Sequence, residues 1–329
     1  MHSGQTKVPQ RSPRFELVAT LGPASWNSSR ALIEAGATAL RINTSHAAID
    51  EVREALDRIH HESPSIRLVV DLQGAKMRLG HIADRLVARG DLITFALDAA
   101  LQGAVPLPHS EFFEQVAPSD TLRIDDDRLR FRVTERGEGT ATAVALGDGV
   151  LRARKGVNLL EHPVLLRGFS AKDRALCALA AEHEPAACAI SFMTDGHEAL
   201  WAREAAPSCL VIGKVERREA VESLDAVDAA VDEVWLCRGD LGAQLGVVSL
   251  ARLMGQFHPS RLRHPVLVAG QVFEHLTAHA APTRSEACHL YDLWARGFAG
   301  VVLSDETAIG ADPERAVRVV SALVEGFLA

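Results

Sequence analysis

Eight apolar runs of strand length, nearly continuous in hydrophobic character, limit the possible folds of this chain more than any other feature. They lie at Phe15 to Thr20, Ala39 to Ile42 and Arg67 to Asp71, and then at ACAISF, CLVIGK, EVWLC, PVLVAG and AGVVLS between Ala187 and Ser304. Strands that are apolar on both faces belong to parallel sheets covered by helices. A helical pattern separates each of the first three from the next, as at Ser28 to Ala35, and others stand at Lys172 to Glu184, Asp195 to Ala205 and Arg284 to Arg296. The expected fold is therefore α/β, a (β/α)8 TIM barrel. From about Arg78 to Val157 the helical periodicity stops. Short alternating runs (LITFAL, LRFRVTE, TATAVAL) with Gly, Pro and Asp between them predict a small β-rich insertion after the third strand, over the C-terminal mouth. The expected organisation is a flexible arm at 1–14, a catalytic barrel from 15–77 and 158–329, and an inserted lid at 78–157.

Composition narrows the class. The chain has 329 residues, 47% hydrophobic and 5% aromatic, enough for a large aliphatic core. A net charge of -8 and a pI near 6.0, without a basic stripe, argue against nucleic acid. No apolar stretch approaches the roughly 18 residues of a membrane span, and the start lacks the apolar core of a signal peptide. The five cysteines, Cys177, Cys188, Cys209, Cys237 and Cys288, show no CxxC spacing, so neither a disulfide framework nor a zinc site is expected and a cytoplasmic location fits.

Catalytic groups of such a barrel sit at the C-terminal ends of its strands. Polar residues collect there: Arg41, Asn43 and Ser45 after the second run, Asp71 and Lys76 after the third, Ser191 after the fourth. Lys214 and Glu216 follow the fifth, Asp240 the sixth, Ser304 and Glu306 the eighth. One lysine with two carboxylates at adjacent strand ends can neutralise a migrating phosphoryl group and hold a divalent metal. There is neither a Walker A loop nor a GxGxxG fingerprint. Taken singly, each residue also has a structural reading: Lys214 as a solvated lysine, His46 as a capping or core histidine, His275 and His279 as paired surface histidines on a helix, and the IDDD run at Asp125 to Asp127 as a turn.

The runs ATLGPAS, LRINTSHA, DLQGAKMRLG, RKGVN, IGKVER, CRGDLG, PTRSEA and LSDETAIG, in this order and at compatible spacing, resemble the pyruvate kinase family over nearly the whole chain. The resemblance implies a (β/α)8 barrel with a β-barrel lid after strand three, and transfer of phosphoryl from phosphoenolpyruvate to ADP with Mg2+ (or Mn2+), giving pyruvate and ATP. It places Lys214 at the transferring phosphoryl group and Arg41 and Arg78 on phosphate, with Glu216 and Asp240 on the metal. It places Arg238, Gly239 and Asp240 at the substrate carboxylate, Ser191 and Phe192 along the pocket, and Pro23, His46 and Lys155 at the nucleotide. Family members with this barrel usually carry a C-terminal regulatory domain; since the sequence stops at Ala329, after the last barrel helix, that domain and sugar-phosphate activation are not expected, and a homo-oligomer is left open.

Departures refine this reading. Asn43, Ser45 and Asp71 match a monovalent-cation site, but Leu72 and Lys76 stand where its Thr and Glu would be, as in the potassium-independent branch, so no potassium requirement is expected. Gly270 replaces the threonine of the family's ATQM run, whose hydroxyl lies near the enolate; Met193 and Thr194 follow Phe192 where the family has an arginine; Asp305 replaces a glycine. Two further readings therefore stand beside the first. One is a related ATP-dependent kinase or an enolate-handling lyase or aldolase acting on a larger 2-oxo or 2-hydroxy acid that uses the space at Gly270, and the other is a non-catalytic sensor, against which the retained Lys214, Glu216 and Asp240 argue.

Overall fold

The structure, a computed structural model, describes residues 15–328 with the exception of His46 and Asp126; the arm expected at 1–14 lies outside the described residues. The chain divides into two compact units, one comprising the described residues up to Gly74 and from Phe169 onward, the other Ala75–Gly168.

The first unit is a closed barrel of eight parallel strands: β1 (Glu16–Leu21), β2 (Ala39–Asn43), β3 (Arg67–Leu72), β4 (Ala186–Ile190), β5 (Leu210–Val215), β6 (Glu233–Cys237), β7 (Val266–Ala269) and β8 (Gly300–Leu303). Each pairs with its sequence neighbour, and β1 closes on β8 in the register Glu16↔Gly300 to Ala19↔Leu303. Successive side chains of a strand face opposite ways. One set (Leu17, Leu40, Leu68, Val211, Val234 among them) packs outward under the helices, and the other (Val18, Val69, Ile212, Trp235, Leu267, Val302) fills the barrel with small alanines beside the fully buried Trp235.

The seam is lengthened past the β1–β8 ladder by two threonines. Thr20 N–H donates to Thr307 Oγ1 at 2.9 Å, Thr307 Oγ1 donates to the Thr20 carbonyl at 2.9 Å, and Thr20 Oγ1 donates to the Leu303 carbonyl at 2.7 Å. At the opposite end of the barrel the structure adds a part-buried polar set that the strand-end argument did not foresee. Arg67 meets Glu233 at 2.6 Å and Glu16 at 3.6 Å, and Trp235 Nε1–H donates to Glu233 Oε1 at 2.5 Å. Polar residues are thus not confined to one face. The helix expected over 195–205 is shorter, Glu198–Ala205, with Asp195 to His197 in the turn before it, and the helical pattern expected between the second and third strands is the helix Ile49–Glu62.

The second unit is a seven-stranded sheet running from Met77–Arg78 through Gly156–Leu159, Thr121–Ile124, Leu129–Gly137, Thr140–Ala145 and Leu92–Ala96 to Val105–Pro106, with a two-stranded ribbon of Arg85–Val87 and Gly149–Leu151. Gly80 N–H donates to the Pro106 carbonyl at 2.7 Å, which ties the segment after one edge to the other edge and curls the sheet on itself. Phe95 and Phe131 meet edge to face at 5.6 Å in its core. A helix, Ser110–Gln115, also stands here and supplies buried Phe112 and Phe113, although the sequence shows little helical pattern. The unit extends past 157 because Gln115 and Leu165 exchange two hydrogen bonds of 2.9 Å.

Candidate active site

Period-two alternation carries the interior layer of the barrel into the site. Two residues after Val18, Ala39, Val69, Ala189, Ile212 and Trp235, all inside the barrel, come Thr20, Arg41, Asp71, Ser191, Lys214 and Cys237 at the C-terminal strand ends. Lys214 is buried, and its Nζ lies 3.0 and 3.1 Å from the two Asp71 oxygens, 2.8 Å from Ser191 Oγ and 2.9 Å from Glu216 Oε1. Asp71 Oδ2 also accepts from Arg41 Nε at 2.7 Å, and the Arg41 fork reaches Thr20 Oγ1 at 2.9 Å. Ser191 Oγ donates to the Leu72 carbonyl at 2.8 Å, and Phe192 N–H donates to Glu216 Oε2 at 3.0 Å. That last bond needs Phe192 in the left-handed region, at φ 59°.

Four charged groups without solvent must compensate one another. Lys214 and Arg41 balance Asp71 and Glu216. Burial disfavours the charged form of each, yet Lys214 is held well above the ordinary lysine value by Asp71 and Glu216, and Arg41 is raised by Asp71. Asp71 is lowered overall, because Lys214 and Arg41 outweigh its burial. Glu216 moves the other way: burial raises it, Lys214 opposes this, and Asp240 and Asp71 push it further up. Cys237, at the same level, is an inert thiol whose pKa burial and Glu216 raise far above the usual range.

Asp240 stands in the first turn of the helix Arg238–Leu245, which starts directly at the end of β6. The Arg238 side chain turns away from that helix toward the loop after β7: its Nε and Nη2 donate to the Gly270 carbonyl at 2.9 and 2.8 Å, Nη2 also to the Gln271 carbonyl at 2.5 Å, and Nη1 pairs with His289 Nε2 at 2.9 Å. Gly270 has φ +84° and Gln271 φ 53°. A Cβ at Gly270 would meet Gly239 N at 3.4 Å and Arg238 N at 3.9 Å, so a side chain there would point at the start of the helix.

Comparison with known proteins agrees with this geometry. The family "Pyruvate kinase, barrel domain" matches residues 12–317. A pyruvate kinase of Agrobacterium vitis is 32% identical over 95% of this chain and 68% of its own length. One of Methylorubrum extorquens is 32% identical over 96% and 69%. The crystal structure of pyruvate kinase from Pyrobaculum aerophilum superposes with a TM-score of 0.77 at 26% identity, covering 95% of this chain and 74% of that one. This chain belongs to the pyruvate kinase family.

Among the residues singled out from the pyruvate kinase resemblance, the structure brings Lys214, Arg41, Asp71, Ser191, Phe192 and Glu216 together, and Arg238 with Gly270. Asn43 and Ser45 instead make a turn of their own, with Ser45 N–H on Asn43 Oδ1 at 3.1 Å, while the Asp71 carboxylate faces the lysine. Pro23 is exposed beside Ala24, whose N–H donates to the Ala308 carbonyl at 2.9 Å; His46 lies outside the described residues. In the second unit Arg78 Nη1 donates to the Arg154 carbonyl at 3.0 Å, Leu79 N–H to the Lys155 carbonyl at 2.9 Å, Lys155 pairs with Asp125 at 2.8 Å, and Lys76 lies against Gly156. His275 and His279 are not on an α-helix: they sit on and after the 3-10 turn Glu274–Thr277, their rings stacked at 3.7 Å and each Nδ1 against a carbonyl. Thr20, His289 and Thr307 were missed. Thr20 could have been found by counting two residues on from Val18; the other two touch the site through contacts that no local pattern shows. Glu306 takes N–H donors from Ser304 and Phe273 on its two oxygens and is a buried brace of the loops after β7 and β8.

The described residues contain no helix long and apolar enough to cross a membrane.

Proposed function

We propose that the chain transfers phosphoryl from phosphoenolpyruvate to ADP, giving pyruvate and ATP. The observation that carries this is the buried lysine held between two carboxylates at the C-terminal strand ends, in a chain of the pyruvate kinase family. As the P–O bond to the enol oxygen breaks, the electron pair stays on that oxygen, the phosphorus moves to the β-phosphate oxygen of ADP, and the resulting enolate takes a proton from water at its methylene carbon to give pyruvate. A fixed ammonium at Lys214 stabilises the oxygens that gain charge, at no reorganisation cost because Asp71, Ser191 and Glu216 already hold it. Arg41, held by Asp71 and Thr20, offers its fork to phosphate, and Arg78 and Lys155 serve the phosphate and nucleotide.

The donor set fits magnesium or manganese: the Asp240 carboxylate is close enough to raise the cost of charge on Glu216, which a divalent cation would relieve. A divalent cation held by Glu216 and Asp240 would supply the positive charge that the balanced ring of side chains lacks. The N–H groups at the start of Arg238–Leu245, beside Gly270, suit the substrate carboxylate. Lys76 in place of a glutamate removes the need for potassium. The space beside Gly270 is bounded by the Arg238 and Gly239 amides, and the relatives are named pyruvate kinases, so the reading as an enzyme of a larger acid is not favoured.

The test is pyruvate formation from phosphoenolpyruvate and ADP with Mg2+, using Lys214→Ala as control. Turnover that falls about 10²- to 10³-fold or more in the control is expected; phosphoenolpyruvate left unconsumed by the intact protein would overturn the proposal.

A further inference from the structure

The turn leaving β4 carries a second cluster, apart from Glu216 and Asp240. Glu198 opens the helix Glu198–Ala205 with no exposed surface. Its Oε1 accepts from Thr194 N–H at 2.7 Å and Thr194 Oγ1 at 2.5 Å, whereas its Oε2 is buried and has no hydrogen-bond donor. His197 Nδ1 stands 3.7 Å from that oxygen, 2.6 Å from Asp195 Oδ1 and 3.5 Å from Thr194 Oγ1. The ligand atoms of Asp195, His197 and Glu198 all lie within 4.8 Å of one another.

An ordinary ion pair accounts for only half of this. Nδ1 carries at most one proton, and the shorter contact directs it to Asp195. Glu198 Oε2 is then a buried carboxylate oxygen facing an imidazole nitrogen across a gap too long for a hydrogen bond, an arrangement that costs free energy unless a cation fills it. Metal–ligand bonds of about 2.0–2.1 Å in a tetrahedron set ligand atoms about 3.3 Å apart, which falls between the 2.6 and 3.7 Å found. The side chains of Asp195 and His197 are 60% and 37% exposed, so an ion can enter from solvent.

We infer that Asp195, His197 and Glu198 form a site for one divalent cation of the zinc class, with water as the remaining ligand. One imidazole nitrogen beside two carboxylate oxygens suits zinc better than magnesium, which prefers an all-oxygen octahedron. The site braces the turn whose Phe192 N–H holds Glu216 and whose Phe192 carbonyl accepts from Arg217 Nη1 at 3.4 Å. Its occupancy is separate from catalysis and does not depend on the proposed activity.

Zinc titration of the full chain by calorimetry at saturating Mg2+ tests this, with the His197 ring followed by NMR. One zinc equivalent that moves the His197 resonances is expected, lost in His197→Ala and weakened about tenfold or more in Glu198→Gln, which keeps an oxygen acceptor for Thr194. His279→Ala, which breaks the stacked His275–His279 pair, leaves that equivalent in place. Absence of binding, binding unchanged in both site variants, or binding lost in His279→Ala instead would each overturn the inference.

Discussion

Glu216 and Asp71 lie on either side of the same ammonium, yet burial and neighbours move their acidities in opposite directions. Asp71 shares two cations and stays charged as pH falls; Glu216, beside Asp240 and Asp71, takes up a proton first. If Glu216 holds the divalent cation as proposed, a proton there competes with it. Mg2+ affinity is therefore expected to fall on acidification from a higher pH than an ordinary glutamate would set, because the folded pKa is raised. Calorimetric titration across pH checks it, and an onset at or below the usual carboxylate range would contradict it. Gly270 is a second case where environment decides. Its φ of +84° disfavours a β-branched residue, so the lost threonine cannot simply be put back. Gly270→Thr is expected to destabilise by about 1–3 kcal/mol without raising turnover; thermal unfolding with steady-state kinetics measures both, and a stable, faster variant would show that the loop accommodates the hydroxyl after all.

At the scale of elements, the closure between β1 and β8 is where a side chain does the work of a strand. The ladder stops at Ala19↔Leu303, and Thr307, on the short helix Asp305–Ala308, catches the next N–H and carbonyl of β1. Because Thr20 Oγ1 in turn accepts from Arg41, the seam also positions a residue of the site. Thr307→Val keeps the shape but leaves the buried Thr20 N–H without its partner, a loss of about 1–3 kcal/mol. Denaturant unfolding is expected to show that loss together with a raised KM for phosphoenolpyruvate; wild-type values of both would mean the threonine bridge is ornamental. Asp305, where the family has a glycine, is exposed at the first position of this helix, and acidic residues are favoured there.

At the scale of the whole molecule, the proposed independence from potassium can be tested directly. Two cations and two carboxylates cancel in the barrel, and Lys76 stands in the second unit against Gly156. Turnover is expected to be the same with and without potassium, and Lys76→Glu is expected to make it depend on potassium. Equal rates for that variant in sodium and potassium buffers would remove the lysine from the argument. The eight strands, their parallel arrangement and the insertion after the third were legible because hydrophobic runs and period-two alternation are local properties of the chain. The same alternation put Arg41, Asp71, Ser191 and Lys214 at strand ends facing inward. Which of them share charge was not legible: Lys214 and Asp71 are 143 positions apart, and the closure of the barrel alone makes them neighbours. The helix Ser110–Gln115, the Arg67–Glu233 pair and the donor-free oxygen of Glu198 belong with them. The sequence by itself determined the fold class and the strand ends that face the barrel interior. Only the tertiary structure decided the electrostatics, because whether a charge is paired, shared or stranded depends on partners that the chain brings together across its length and on the water that the packed barrel excludes.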